Sequence, residues 1–366
     1  MFNVVVGCTF GDEGKGQVTH ALCCDAKRKH LKPSVVRFSG GHQAGHTVTS
    51  VSGETHVFSC FGSGTFVGAP TYWMHRCVMD PLQWMREHEQ LSFLGCSIPT
   101  QYFDPYVRIT TPFDVMLNAE RRTGFTVGKG IWETVQRNRE GLSLYIKDLA
   151  FPQIVKMKLR LIQEWAESQI PYSSSVYKEF KPVIEDLNAL VHTYCKLFYP
   201  NITLYTKLYN SLLSQKNSTV IFEGSQGVLL DPDVGFSHEY TTPISCCPSY
   251  DNLPFFVTED QMTINFVYRS YLTRHGKGPV GDSMFKKIHN PYETNLDNRF
   301  QGDFNTYEFN KDLVLYGISH VQSKFDPEYK VRLIETCCDI CGEHDLGIPC
   351  DCSVKTYKSN FDSVCK

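Results

Sequence analysis

Val4-Val5-Val6-Gly7-Cys8-Thr9-Phe10-Gly11-Asp12-Glu13-Gly14-Lys15-Gly16 decides how this chain is to be read. An apolar β-branched run leads into glycines spaced around an acidic pair and a lysine, the pattern by which a buried strand delivers its carboxyl end to a phosphate. The glycines Gly11, Gly14 and Gly16 let backbone N–H groups approach an anion, and Lys15 adds a point charge. Asp12 and Glu13 do not belong in a pure anion cradle. A carboxylate beside a triphosphate repels it unless a divalent cation lies between them or the carboxylate has chemistry of its own. The loop therefore reads as nucleotide, metal and base together.

The spacing is neither a Walker loop nor the dinucleotide Gly-x-Gly-x-x-Gly. Taken alone, it also fits a glycine-rich turn with solvated charges. A second stretch, Gly40-Gly41-His42-Gln43-Ala44-Gly45-His46-Thr47, follows the short strand Val35-Val36-Arg37-Phe38. Two histidines four apart among three glycines predict a loop rather than a helix face. Two such loops at successive strand ends point to the ligand edge of an open α/β sheet.

Gly11-Asp12-Glu13-Gly14-Lys15-Gly16 followed by Gly40-Gly41-His42-Gln43-Ala44-Gly45-His46-Thr47 resembles the adenylosuccinate synthase family, GTP-dependent ligases that join aspartate to IMP. The resemblance implies an α/β fold: a mostly parallel central sheet with helices on both faces, a P-loop-like synthase fold in a single 1–366 domain. It also implies that Gly11, Glu13, Gly14, Lys15, Gly16, Gly45, His46 and Thr47 bind GTP. Asp12 and Gln43 then meet IMP, and Asp12 with the Gly45 carbonyl holds Mg2+.

Composition agrees with an ordinary globular enzyme: 366 residues, 42% hydrophobic, formal net charge −3. No basic excess argues for nucleic acid or an anionic membrane as partner. The chain starts directly in a strand, without a basic n-region or apolar h-region, so secretion is not expected. No apolar run is long enough to span a membrane. Fifteen cysteines read as reduced, buried thiols rather than a disulfide framework. A cytoplasmic enzyme is the expectation.

Pro81 to Leu91 predicts a short helix, with Leu82, Met85 and Leu91 near one face, and Val107 to Thr110 a strand. In Arg121 to Ile131, hydroxyl, glycine and cation fall together, as in a phosphate clamp; a solvated basic loop has the same composition. By resemblance, Thr126-Val127-Gly128-Lys129-Gly130-Ile131 is similar to the family's Thr-Thr-Gly-Arg-Gly-Ile, so Thr126 and Lys129 would hold the monophosphate, with Val127 in place of a threonine. Arg139 matches a family arginine that reaches the neighbouring subunit's IMP site, which implies a homodimer.

From 151 to 215 the pattern becomes helical, an insertion rather than an independent domain. Ile154, Met157, Leu161 and Trp165 step by three and four, as do Ile184, Leu187, Val191 and Tyr194, and both sets read as core faces. Strand returns at Ser218 to Phe222 and ends in Glu223-Gly224-Ser225-Gln226-Gly227, similar to the family's Glu-Gly-Ala-Gln-Gly. Gln226 is thereby expected on the IMP base, and Thr241 on its phosphate.

Tyr271 to Pro279 resembles the family's Ser-Thr-Arg-Val-Gly-x-Gly-Pro. The run 298–310 departs from the arginine-rich family loop that grips aspartate. Asn305 stands where an arginine is expected, and Arg299 remains to meet a dicarboxylate. After a strand-like Leu313-Val314-Leu315, Val321 to Asp326 resembles the family's Thr-Lys-Leu-Asp, which makes Lys324 and Asp326 the expected guanine contacts. The tail, 337–366, is cysteine-rich and shorter than the family's; Cys338, Cys341, Cys350 and Cys352 could close a small structural Zn2+ knot, although the Cys350–Cys352 spacing is tighter than usual and a cysteine-rich chain shows such pairs by chance.

The resemblance implies a mechanism. Asp12 takes the N1 proton, the γ-phosphoryl moves to O6, His46 donates to the growing charge with Gln226 beside it, and the aspartate amine displaces phosphate. Two other readings stay open: a phage-type enzyme acting on dGMP to give 2-aminoadenylosuccinate, where a serine is expected at position 12, and a non-catalytic nucleotide-binding descendant.

Overall fold

The computed structural model describes residues 1–121, 126–205, 207, 212, 217–237, 240–254, 257, 261–294, 300–326, 328–347 and 355–356. Its centre is one nine-stranded sheet. Strand β1 (Phe2–Gly7) is flanked by β10 (Ser218–Gly227) and β11 (Met262–Arg269). Beyond β10 lie β2 (Lys32–Arg37), β5 (Thr71–Trp73), β7 (Gln101–Phe103) and the edge strand β9 (Thr203–Leu204). Beyond β11 lie β14 (Lys330–Thr336) and β15 (Lys355–Thr356).

Every described pairing in this sheet is parallel. Parallel strands are covered on both faces, which is why Val4, Val5, Val35, Val36, Ile221, Phe222, Ile264 and Phe266 run as continuous apolar stretches. The carboxyl ends of β1, β2, β10, β11 and β14 share one edge, and the site is built there. Three two-stranded units add to the frame: β3 (His46–Thr49) with β4 (Thr55–Phe58), β6 (Val78–Met79) with β8 (Arg108–Ile109), and the hairpin β12 (Leu272–His275) with β13 (Phe304–Tyr307).

Helix α1 (Lys15–Arg28) follows β1 directly. Asp80 caps α2 (Pro81–Phe93) by accepting from the Leu82 amide. Helices α3 (Pro112–Arg121) and α4 (Ile131–Arg139) pack together and are joined by Arg137, whose Nε donates to Asp114 Oδ1 at 2.8 Å in a fully buried ion pair.

The inserted segment forms α5 (Pro152–Glu167), α6 (Ser175–Ile184) and α7 (Leu187–His192). It shares one core with Trp73, Phe103 and Phe113 and contributes the edge strand β9, so it is an integral layer of the domain. Two expectations are corrected here. The buried stripe of α5 is Val155, Leu159, Ile162 and Ala166, while Ile154, Met157 and Leu161 are exposed: the helix is apolar on both sides, and the stripe one residue on meets the core. Ile184 to Tyr194 is not one helix, because Asp186 caps a new one by accepting from Asn188 and Ala189.

Leu313 to Leu315 is also not a strand. It lies in α8 (Lys311–Gln322), capped by Asn310, with Val314, Ile318 and Val321 buried at helical spacing. The short α9 (Cys338–Cys341) follows β14. Among the described residues no helix is long and apolar enough to cross a membrane. The twelve described cysteines are free thiols, nine of them buried; Cys350 and Cys352 lie outside the described residues.

Candidate active site at the carboxyl edge of the sheet

A cavity of about 730 Å³ opens along this edge. Its floor is the loop between β1 and α1. Gly14, at φ 95°, caps α1 without a side-chain hydrogen bond, which leaves the first helical N–H groups and the positive end of the helix dipole facing the cavity. Gly227 ends β10 against this loop. A Cβ there would lie 2.1 Å from the Thr9 carbonyl oxygen and 2.3 Å from the Gly11 nitrogen, so only glycine lets the two strand ends meet.

Asp12 occupies the left-handed region at φ 64°, a conformation the surrounding loop must enforce. It lines the cavity, and His275 Nε2 stands 3.5 Å from its Oδ2. Burial alone would raise the Asp12 carboxyl, but His275, Arg269 and Lys15 outweigh it and hold the group below the usual carboxylate range. Asp12 is therefore ionised at neutral pH.

Glu13 faces the other way. Its carboxylate is buried beneath the loop, accepting from the Thr9 and Gly11 amides and the Thr9 hydroxyl, and pairing with Lys15 Nζ at 2.6 Å. Its side chain is outside the cavity lining; it shapes the loop and holds Lys15. Burial tends to raise its pKa; Lys15 and the loop amides hold it down.

His46, which starts β3 instead of lying on a free loop, presses its ring against the floor. Nδ1 bonds Glu223 Oε1 at 2.8 Å, and a carboxylate only accepts, so Nδ1 carries the proton. Ser63 supports the same carboxylate through its amide, at 3.2 Å, and its hydroxyl. His46 Nε2 is buried without a partner, and the residue lines the cavity. Burial keeps His46 below the ordinary histidine value although Glu223 pulls upward. Glu223 is held ionised against its burial by His46, Arg37 and Ser63.

The structure brings Gly11, Asp12, Gly14, Lys15, Gly16, Gln43, Gly45, His46 and Thr47 to this one cavity, with Thr126, Lys129, Gln226 and Thr241 on its walls. Gln226 Oε1 is a second buried polar atom with no protein partner, as a base-contacting amide would be. His42 reaches the Lys129 carbonyl with Nε2 at 3.1 Å and ties the second glycine loop to the Thr126 segment.

Other expected residues lie elsewhere. Arg139 is outside the main cavity and lines a smaller one of about 340 Å³ with Arg76 and Arg108. Lys324 and Asp326 fall after α8 and before β14, whose first residue is at the amino edge of the sheet. Lys324 pairs with Asp233, in the turn that follows β10, at 2.9 Å, and neither Lys324 nor Asp326 lines the cavity. The residues β14 delivers are Thr336 and Cys337. Thr336-Cys337-Cys338-Asp339 has the threonine and aspartate of Thr-Lys-Leu-Asp at the same spacing. Arg299 lies outside the described residues.

Among the described residues no cluster of three metal-ligating side chains occurs. One ionised carboxylate beside a phosphate cradle fits Mg2+, which takes most of its oxygens from phosphates and water. Missed at the sequence level were Glu223, Ser63 and Arg37 beneath His46, and Arg269, Arg274 and His275 opposite. Glu223 carried a signal, being a carboxylate inside an otherwise apolar strand.

The model of the family described as adenylosuccinate synthetase matches residues 4–298. The adenylosuccinate synthetase of Dehalococcoides mccartyi (strain ATCC BAA-2100) is 27% identical over 290 residues, covering 77% of this chain and 66% of that protein. That of Synechococcus sp. (strain JA-2-3B'a(2-13)) is 30% identical over 310 residues, covering 78% and 63%. The chain thus spans just under two thirds of these relatives' length. Fully ligated adenylosuccinate synthetase from Plasmodium falciparum superposes with a TM-score of 0.71 at 18% identity, covering 92% of this chain and 77% of that one. Cyanophage S-2L succinoaminodeoxyadenylate synthetase, bound to dGMP and to dATP as an energy donor, superposes at 0.63 and 13% identity, covering 93% and 85%. Both structures share the fold.

Proposed function

Because this chain belongs to the adenylosuccinate synthetase family, we propose that it joins L-aspartate to IMP at the expense of GTP, giving adenylosuccinate, GDP and phosphate through 6-phosphoryl-IMP. One observation carries the reading. An ionised Asp12 and an unpartnered His46 Nε2 share a cavity whose floor is the uncapped amino end of α1.

The 6-oxygen of a purine is a poor leaving group until it is phosphorylated. Asp12 removes the N1 proton, which makes O6 the nucleophile that takes the γ-phosphoryl group and releases GDP. Since Nδ1 of His46 already carries a proton toward Glu223, a hydrogen bond from Nε2 to the developing charge requires the imidazolium, and Glu223 is the carboxylate that stabilises it. The amine of aspartate then attacks C6, loses a proton and expels phosphate. Lys15 and the α1 amides hold the transferring phosphates. The Asp12 carboxylate and the Gly45 carbonyl are the protein oxygens that would hold Mg2+, which when bound offsets phosphate charge.

GTP as donor rests on family membership, with Asp339 as the carboxylate that would take guanine's donor pair. A homodimer is part of the proposal: Arg139, outside its own chain's main cavity, is free to serve a partner's. The test crosses IMP and dGMP with GTP and ATP, with aspartate added or withheld, and reads phosphate release and the mass of the nucleotide product. Adenylosuccinate from IMP and GTP is the expected result. A 2-amino product from dGMP would move the protein to the phage type, and tight nucleotide binding without phosphate release would make it a non-catalytic descendant.

A further inference from the structure

Resting on that reading, we propose that Lys277, with His275 beside it, binds the carboxylate of the amino-acid co-substrate, a role the arginine-rich segment plays in the family. The cations lining the cavity are Lys15, Lys129, Arg269, Arg274 and Lys277. Lys15 is held by Glu13 at 2.6 Å and Arg269 by Glu293 at 2.6 Å. Arg274 is committed to its own turn: Nε donates to the Lys277 carbonyl, Nη1 to the Pro279 carbonyl, and the guanidinium lies 4.1 Å from the Phe10 ring centroid. Lys129 sits on the monophosphate wall. Among the described residues, Lys129 and Lys277 are the cavity cations whose side chains make no ion pair or hydrogen bond; with Lys129 assigned to the monophosphate, Lys277 is left for the carboxylate.

Its position matches the loss it offsets. Asn305, where the family has an arginine, is the register partner of Arg274 in the β12–β13 hairpin, and the Gly276 amide donates to the Asp303 carbonyl at 2.9 Å. The vanished cation and Lys277 thus belong to one two-stranded unit, and positive charge has moved across it to the turn after β12. His275 stands where the family pattern has valine. Both its ring nitrogens are buried without a hydrogen-bond partner, and Nε2 is 3.5 Å from Asp12 Oδ2. The hairpin wall therefore adjoins the reacting centre, and an amino acid whose amine approaches C6 beside Asp12 has its carboxylates within this wall.

The experiment compares KM for aspartate with KM for IMP in wild type, Lys277→Ala, Lys277→Arg and the double variant Lys277→Ala/Asn305→Arg. Loss of a charge-assisted contact predicts a rise of about 10- to 100-fold in the aspartate KM of Lys277→Ala, with the IMP KM within about twofold. Lys277→Arg recovers most of it, and so does Asn305→Arg in the double variant. An unchanged aspartate KM, or equal rises for both substrates, overturns the inference while leaving the ligase reading standing. If wild type forms no product, the ligase reading fails instead, and calorimetric titration with aspartate in the presence of IMP still decides. Binding by wild type but not Lys277→Glu supports the assignment; equal binding, or none in wild type, overturns it.

Discussion

His46 Nδ1 meets Glu223 Oε1 at 2.8 Å across 177 residues of chain, joining the second glycine loop to the end of the central strand. The pair sets which nitrogen of His46 faces the cavity and what proton it carries. Glu223→Gln removes the charge that stabilises an imidazolium, and turnover should fall about 10²-fold with little change in KM for either nucleotide. Turnover near that of wild type would show that an imidazolium stabilised by Glu223 is not needed.

Asp12 and Lys15 occupy one loop and divide its labour. Asp12→Ala should abolish turnover, a loss on the order of 10²–10⁴-fold, while GTP still binds. Lys15→Ala should chiefly raise the KM for GTP. Steady-state kinetics separates the two, and a turnover unchanged in Asp12→Ala contradicts the role given to it.

The base-reading segment can be located by mutation. Lys324→Ala and Asp326→Ala, outside the cavity, should leave the KM for GTP within about twofold of wild type. Asp339→Asn should raise it about tenfold or more and narrow the preference for GTP over ATP, because a charged hydrogen-bonding partner is lost. The opposite pattern would return the segment to Lys324 and Asp326.

Stability should fall in acid through His42. Burial depresses its pKa below the ordinary histidine value although Asp80 and the Lys129 carbonyl pull upward. A histidine depressed in the folded state binds its proton more tightly when unfolded. Its contribution is therefore present above about pH 6.5 and is lost as pH falls below that value. Thermal melts of wild type should decline from pH 7 to pH 5.5, and His42→Gln should flatten that decline. Parallel curves would mean that other groups, with His46 next in line, dominate.

If Arg139 serves a partner's site, mixing Arg139→Ala with Asp12→Ala protein should restore activity through hybrid dimers carrying one intact site. Absence of recovery, or a monomer by sedimentation, contradicts the dimer.

The two glycine loops and the Gln226 segment were legible because each follows an apolar strand and uses residues that a buried strand end would not otherwise tolerate. Lys324 and Asp326 lie off the cavity for a physical reason. Leu313 to Leu315 looks like a strand over three residues, but Asn310 caps a helix whose buried positions repeat at 314, 318 and 321, and the tripeptide that follows this helix precedes β14, whose far end reaches the cavity. The face of α5 misled because apolar residues occupy both of its sides. Glu223 beneath His46, and His275 against Asp12, join residues far apart in the chain. No local pattern encodes such contacts; they follow from parallel strand order.

The central claim is that O6 of the purine becomes the phosphate's oxygen, and isotope transfer tests it directly. IMP labelled with ¹⁸O at the 6-position is incubated with the protein, GTP, Mg2+ and aspartate, and the released phosphate is analysed by mass spectrometry. The account predicts one ¹⁸O in each phosphate released and none when Asp12→Ala replaces the wild type. Phosphate released without label would mean that GTP is hydrolysed by water, and would contradict 6-phosphoryl-IMP as the intermediate.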